Sequence, residues 1–363
     1  MPSMFDLMEP RIHYAHSADQ TSIAYWTVGD GPPLVYLAGG PWSHIELWQV
    51  PECRRWYERL AQDRMLVRYD LRGTRLSERN VADFSLDTLV GDLEAVVDRL
   101  SLGRFALFGA ADAGPVALAY AARHPDRVSR LVLWCAWVRP ADISSPSVRA
   151  WLSLSDYNWD LMTEMCAHLA LGWSGGEVGR QAAQRLREVV TPEVMQAALA
   201  ALERVDVLDL LPRVQAPTLV LHRRNLPWLP VDVASRLASR LPNARLTVFP
   251  GEATAPYLGD AAELARMIEE FLDEEEEVVP SDGPPPRVPI LGSRPGLSHP
   301  NGLTEREIEV LRLIASGQTN SEIADELTLS VRTVERHIGN LYGKIGARGR
   351  ADATAYALTR ELV

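Results

Sequence analysis

Residues 104–135 read RFALFGAADAGPVALAYAARHPDRVSRLVLWC. Residues 104–108 and 128–135 are mostly apolar stretches of the kind that make buried strands. Between them, residues 114–124 form an alanine-rich helical pattern. The join is Gly109-Ala110-Ala111-Asp112-Ala113-Gly114. Its small residues at 109 and 113 are what a tight strand-to-helix turn needs sterically. Strand, helix and strand in succession form the unit of a parallel sheet.

The same alternation extends in both directions. Strands are expected at 11–16, 21–28, 33–38 and 67–69, then again at 218–222 and 245–249. Helices are expected at 85–101, 231–241 and 260–272. The fold class is therefore α/β with a mainly parallel sheet. Residues 140–212 break the alternation with a helical, Ala- and Leu-rich stretch that reads as an inserted cap over the sheet.

The chain has 363 residues, of which 47% are apolar and 23% charged, which excludes a wholly disordered protein. No apolar run reaches the roughly 18–20 residues of a membrane span, and no basic-then-apolar leader opens the sequence. The three cysteines, Cys53, Cys135 and Cys166, are odd in number and scattered, as reduced thiols in a cytoplasmic protein would be. No cofactor or metal motif is present. Net charge is −11, and Lys344 is the only lysine. An acidic whole does not exclude nucleic acid, because the local field at the binding face decides.

Composition changes abruptly near residue 273. An acidic run, Asp273 to Glu277, is followed by PSDGPPPRVPILGSRPGLSHPN at 280–301, with six prolines between 280 and 295. Such a stretch continues neither helix nor ladder. The expected organisation is a domain at 1–272, a linker at 273–302 and a small domain at 303–363.

The small domain reads as helices throughout. Thr304 and Glu307 have capping-box spacing, with Ile308, Leu311 and Ile314 behind them. A second helix starts near Thr319–Asn320, and Thr328-Leu329-Ser330 turns into a third. There Val334, Ile338, Leu341 and Ile345 make a buried stripe. Its outer face carries Arg332, Arg336 and Asn340, flanked by Thr333, His337 and Lys344. From 332 to 350 five positive residues face one acid, Glu335. That geometry reads either as a DNA-reading helix-turn-helix or as a solvated face in a small bundle.

Three elements, Leu303-Thr304-x-Arg306-Glu307, Asn320-x-Glu322-Ile323-Ala324 and Thr333-Val334-x-x-His337, resemble the DNA-binding domain of LuxR-type regulators. The resemblance implies that the third helix reads double-stranded DNA through Arg332, Thr333, Arg336, His337, Asn340 and Lys344. It implies a homodimer, with a fourth helix at about 350–362 as the dimer contact.

The large domain resembles the α/β-hydrolase fold over residues 12–272. Leu37-Ala38-Gly39-Gly40-Pro41 is similar to the oxyanion loop of that family. Asp70-x-Arg72-Gly73-Thr74-x-x-Ser77 is similar to its DxRGxGxS loop, with Arg75 in place of a glycine. The departures lie at the catalytic positions. The nucleophile position falls on Ala111, the acid position on Leu226, with Asn225 beside it, and the base position on Thr254. A rival register puts Asp112 at the nucleophile position. Acyl transfer needs a nucleophile, a base in reach and an orienting acid, so a pseudo-hydrolase is expected. The backbone N–H groups of Gly40 and Asp112 would keep an oxyanion pocket.

Ten tryptophans are many for this length. Trp42, Trp137, Trp151 and Trp228 are expected to join Gly40, Pro41, Ala111, Asp112 and Thr254 around a pocket for a small, largely apolar ligand. His44 and His222, near the same rim, are expected to be structural. The resulting expectation is a ligand-responsive transcription regulator. Two alternatives stand beside it: an active hydrolase fused to a helix-turn-helix, and an α/β domain that serves only as a dimerisation or protein-interaction module.

Overall fold

The computed structural model describes residues 10–39, 44–172, 176–274, 305–315 and 318–327, and single or paired positions between 334 and 357. The chain divides into two compact units, Met1–Glu277 and Val278–Val363.

The first unit is built on an eight-stranded sheet of order β1-β2-β4-β3-β5-β6-β7-β8. The strands are β1 (His13–His16), β2 (Ser22–Val28), β3 (Pro33–Leu37), β4 (Met65–Tyr69), β5 (Phe105–Ala110), β6 (Val128–Trp134), β7 (Thr218–Arg223) and β8 (Ala244–Phe249). β1 and β2 pair antiparallel, β2 pairs antiparallel with β4, and all other pairs are parallel. β5 and β7 are buried at every position, and β5 is apolar on both faces, as a strand covered by helices on both sides tends to be.

Helices α1 (Pro51–Leu60), α2 (Leu86–Arg99), α3 (Gly114–Arg123), α8 (Val231–Arg240) and α9 (Ala261–Asp273) pack on the sheet. α1 lies outside the expected elements. Its signal was nevertheless present: Cys53, Trp56, Tyr57 and Leu60 recur at helical spacing and are all buried. Five charged residues among its ten mask that stripe in a composition reading. α3 is buried from Gly114 to Ala122. Its small residues permit that approach, since a Cβ on Gly114 would meet the Ala136 Cβ at 2.5 Å.

The expected cap is a run of four helices: α4 (Pro146–Leu152), α5 (Trp159–Leu171), α6 (Gly176–Val189) and α7 (Pro192–Leu202). Ser145, Asn158 and Thr191 cap α4, α5 and α7 through side-chain oxygens. The cap has its own core, in which Met162, Cys166, Leu186 and Met195 meet Phe84 from the loop before α2.

The Asp70 loop is fixed by polar contacts under the cap. Asp70 accepts from the backbone N–H of Ile45 and of Leu76. Buried Arg72 donates to both carboxylate oxygens of buried Asp92 and to Asp19. Arg75, where the family pattern has glycine, sits at φ +34°, and its N–H donates to Val189 of the cap.

In the second unit, α10 (Glu305–Ala315) and α11 (Asn320–Glu326) surround a buried cluster that includes Leu311, Ile314, Ile323, Val334, Ile338 and Leu341. The apolar stripe expected from sequence is thus buried at its described positions. Ile345 and the capping pair Thr304 and Glu307 lie outside the described residues or side chains. A reciprocal capping box forms at Thr319 and Glu322. Among the described residues no helix is long and apolar enough to cross a membrane.

Candidate functional site

The chain leaves β3 for β4 on one side and returns to β5 on the other, so the sheet reverses its winding between β3 and β5. Ligands of open α/β sheets bind outside the carboxyl ends of the strands at such a point. The turn after β5 is tight. A Cβ on Gly109 would meet the Ala117 Cβ at 2.7 Å, and one on Gly39 would meet the Ala111 Cβ at 2.7 Å. Between strand and helix, Ala111 takes φ +46°, a left-handed conformation that costs an L-residue roughly 1–2 kcal/mol. The left-handed residue of the turn is therefore Ala111, not Asp112.

Asp112 follows it, partly exposed to the cavity described below. Trp137 Nε1 donates to Asp112 Oδ1 at 2.9 Å. Burial pushes the Asp112 carboxyl up to about 6, and the Trp137 hydrogen bond opposes the shift.

Leu226, expected at the acid position, is buried. Thr254, expected at the base position, is a structural tie. Trp228 Nε1 donates to Thr254 Oγ1 at 2.9 Å, and Thr254 Oγ1 donates to the Leu169 carbonyl of α5 at 3.3 Å. Trp134 Nε1 donates to the Thr254 carbonyl at 2.6 Å. One threonine thus joins the loop after β7, the core and the cap.

Cap and sheet line a cavity of about 890 Å3, within the roughly 300–1,000 Å3 range of small-molecule sites. Ala111, Asp112, Trp151, Trp228 and Thr254 all line it. Trp137 does not line it. Its ring is fully buried, because its indole N–H finds a partner in Asp112 and the rest of the ring packs in the sheet-side core. Gly40, Pro41 and Trp42 lie outside the described residues.

The cavity also takes in residues the sequence did not single out for it: Tyr36, His44, Tyr57, Cys166, Arg185 and Tyr257. They come from six different segments, and no local pattern links them. His222 is buried away from the cavity, with Nε2 at 3.2 Å from the Leu229 carbonyl. Among the described residues no group of three or more His, Cys, Asp or Glu is arranged to hold a metal ion.

In the second unit Lys344 is exposed and helical. The other expected DNA contacts, Arg332, Thr333, Arg336, His337 and Asn340, lie outside the described residues.

Residues 32–259 match the family model described as alpha/beta hydrolase fold. Residues 301–357 match bacterial regulatory proteins of the luxR family. The chain is 33% identical over 249 residues to a pimeloyl-[acyl-carrier protein] methyl ester esterase of Nitrosomonas europaea, covering 65% of this chain and 94% of that one. Its C-terminal part is 46% identical over 61 residues to the transcriptional regulatory protein LiaR of Bacillus subtilis, which is 17% of this chain and 29% of that protein. Among solved structures, the enol-lactonase of Burkholderia xenovorans superposes with a TM-score of 0.63 at 21% identity, covering 72% of this chain and all of its own, a likeness of fold. The chain therefore belongs to the alpha/beta hydrolase fold family over its N-terminal unit and carries a LuxR-type helix-turn-helix, a DNA-binding regulator domain, at its C-terminal end.

Proposed function

We propose that this protein is a cytoplasmic, ligand-responsive transcription regulator, in which a hydrolase fold without hydrolase chemistry senses a small, largely apolar molecule. The observation that carries the reading is Ala111, a methyl group in the left-handed position of the turn, facing a cavity of about 890 Å3. Ala111 has no atom that attacks a carbonyl, Leu226 cannot orient an imidazole, and the Thr254 hydroxyl is engaged by Trp228 and Leu169. The cavity favours a sensor over a pure interaction module, which needs no such space. The protein binds DNA as a homodimer on an inverted repeat, with half-sites about one helical turn apart. Ligand signals by binding the two DNA-affinity states unequally.

The test is reaction with a serine-directed phosphonate, followed by intact mass, alongside turnover of activated esters. The expected result is no stoichiometric adduct and no turnover above background. An adduct lost on mutating a nearby Ser, Thr or Asp overturns the reading. Ala111→Ser alone should not create an efficient enzyme, because neither base nor acid is restored.

A further inference from the structure

The cavity is electrically uneven. Asp112 stands at the turn after β5, and its charge acts on the thiol of Cys166. Glu203 also lines the cavity and follows Leu202, which shares a small adjoining pocket with Asp112. Two of the three acids on its wall therefore gather at one end; the third is Glu52, and Arg149, also on the wall, donates to the Ser144 carbonyl.

His44 lines the same cavity from the segment after β3. It is buried, and its Nδ1 has no hydrogen-bond partner. Burial, together with the positive charges of Arg68, Arg75 and Arg185, holds its pKa down at about 3, so the ring is neutral. Two of those arginines are engaged. Arg68 donates to the Tyr57 hydroxyl and lies over the Tyr36 and Tyr57 rings, while Arg75 pairs with Glu46. Arg185, on cap helix α6, is exposed, lines the cavity and has no ion pair among the described residues. Glu52, the acid nearby, pairs with Arg55.

A neutral imidazole carries one proton. An unpaired buried N–H is the rarer orphan in proteins, so the proton belongs on Nε2 and the ring offers a donor there. A donor and an uncommitted guanidinium beside an apolar cavity make a place for an anionic oxygen.

We propose that the cavity selects an amphipathic acid, with a carboxylate held by His44 and Arg185 and an apolar body lying under the cap. The inference rests on the sensor reading and adds the chemical class of its ligand. Orientation follows from the same charges. A carboxylate turned the other way would face Asp112 and Glu203, which repel it once ionised. The body meets Trp151, Leu152, Leu186 and Trp228.

The experiment titrates the full-length protein with decanoate and with decanol at pH 8, reading tryptophan emission. The two probes share a chain and differ in the head. Decanoate should bind tighter by roughly tenfold, the order expected of a charge-assisted pair. Arg185→Gln should bring the two affinities together while leaving that for decanol unchanged, and His44→Gln should narrow the gap in the same way. Because Arg185 is exposed, its replacement tests the head site even where buried His44 resists exchange. Equal binding of decanol and decanoate, or a ratio untouched by Arg185→Gln, overturns the acid assignment and leaves the sensor reading standing. Failure of both probes to bind overturns the assignment and counts against an apolar-ligand sensor as well.

Discussion

Replacing Asp112 with asparagine should stabilise the N-terminal unit at neutral and alkaline pH and do almost nothing in acid. Burial lifts this carboxyl from its ordinary 3.8 to about 6. A gap of about two units corresponds to about 3 kcal/mol. The folded pKa lies above the unfolded one, so the folded state holds the proton where the unfolded state has released it. The stability linked to that proton is complete below about pH 4 and is lost as pH rises through 6. Above that, the ionised carboxylate destabilises the fold by the full amount. Asparagine has no charge to bury and keeps an oxygen for Trp137 Nε1. At pH 8 the Asp112→Asn variant should therefore melt higher by about 6–12 °C, taking 2–4 °C per kcal/mol for a domain of this size. At pH 4 the two proteins should melt within a degree or two of each other. All ten tryptophans lie at or before position 228, so emission follows the N-terminal unit alone. A variant no more stable than wild type at pH 8, or an offset that does not change with pH, would refute the argument.

Further outcomes follow from the Thr254 tie and from the expected DNA contacts. Thr254→Val removes the acceptor of Trp228 Nε1 and the donor to Leu169, and should lower stability by about 1–2 kcal/mol and shift Trp228 emission; unchanged unfolding and emission would count against the tie. In the DNA-binding unit, Arg336→Ala should cost roughly 1–3 kcal/mol on the operator alone, whereas Lys344→Ala should weaken all duplexes alike and flatten the salt dependence, both measured by anisotropy across salt concentrations.

The fold was legible wherever function rests on backbone shape. The Gly109–Gly114 segment announced its turn because tight turns exclude side chains, and the structure fills that space with Ala117 and Ala136. The cap showed as an interruption of the strand–helix alternation. Helix α1 was not read, although Cys53, Trp56, Tyr57 and Leu60 carry the period, because its arginines and glutamates dominate any composition average. Trp137 is expected in the pocket wall because it is aromatic and adjoins the cap, yet an indole N–H needs an acceptor and Asp112 supplies one beneath the turn. His44 and Arg185 could not be paired from sequence at all. They stand 141 positions apart and meet only because a cap helix folds back over the sheet. Shape was encoded locally, whereas the polarity of the cavity was assembled from distant parts.

The left-handed alanine at 111 separates what a site looks like from what it does. Gly39 closes directly on its Cβ, while Gly109 and Gly114 let the strand and helix on either side approach Ala117 and Ala136. A single codon at 111 can thus exchange one side chain for another while the neighbours keep the main chain where it was. Chemistry becomes the most editable property of such a pocket and geometry the most heritable. A lineage can abandon a reaction, keep the chamber built for it and hand that chamber to a different purpose without refolding anything.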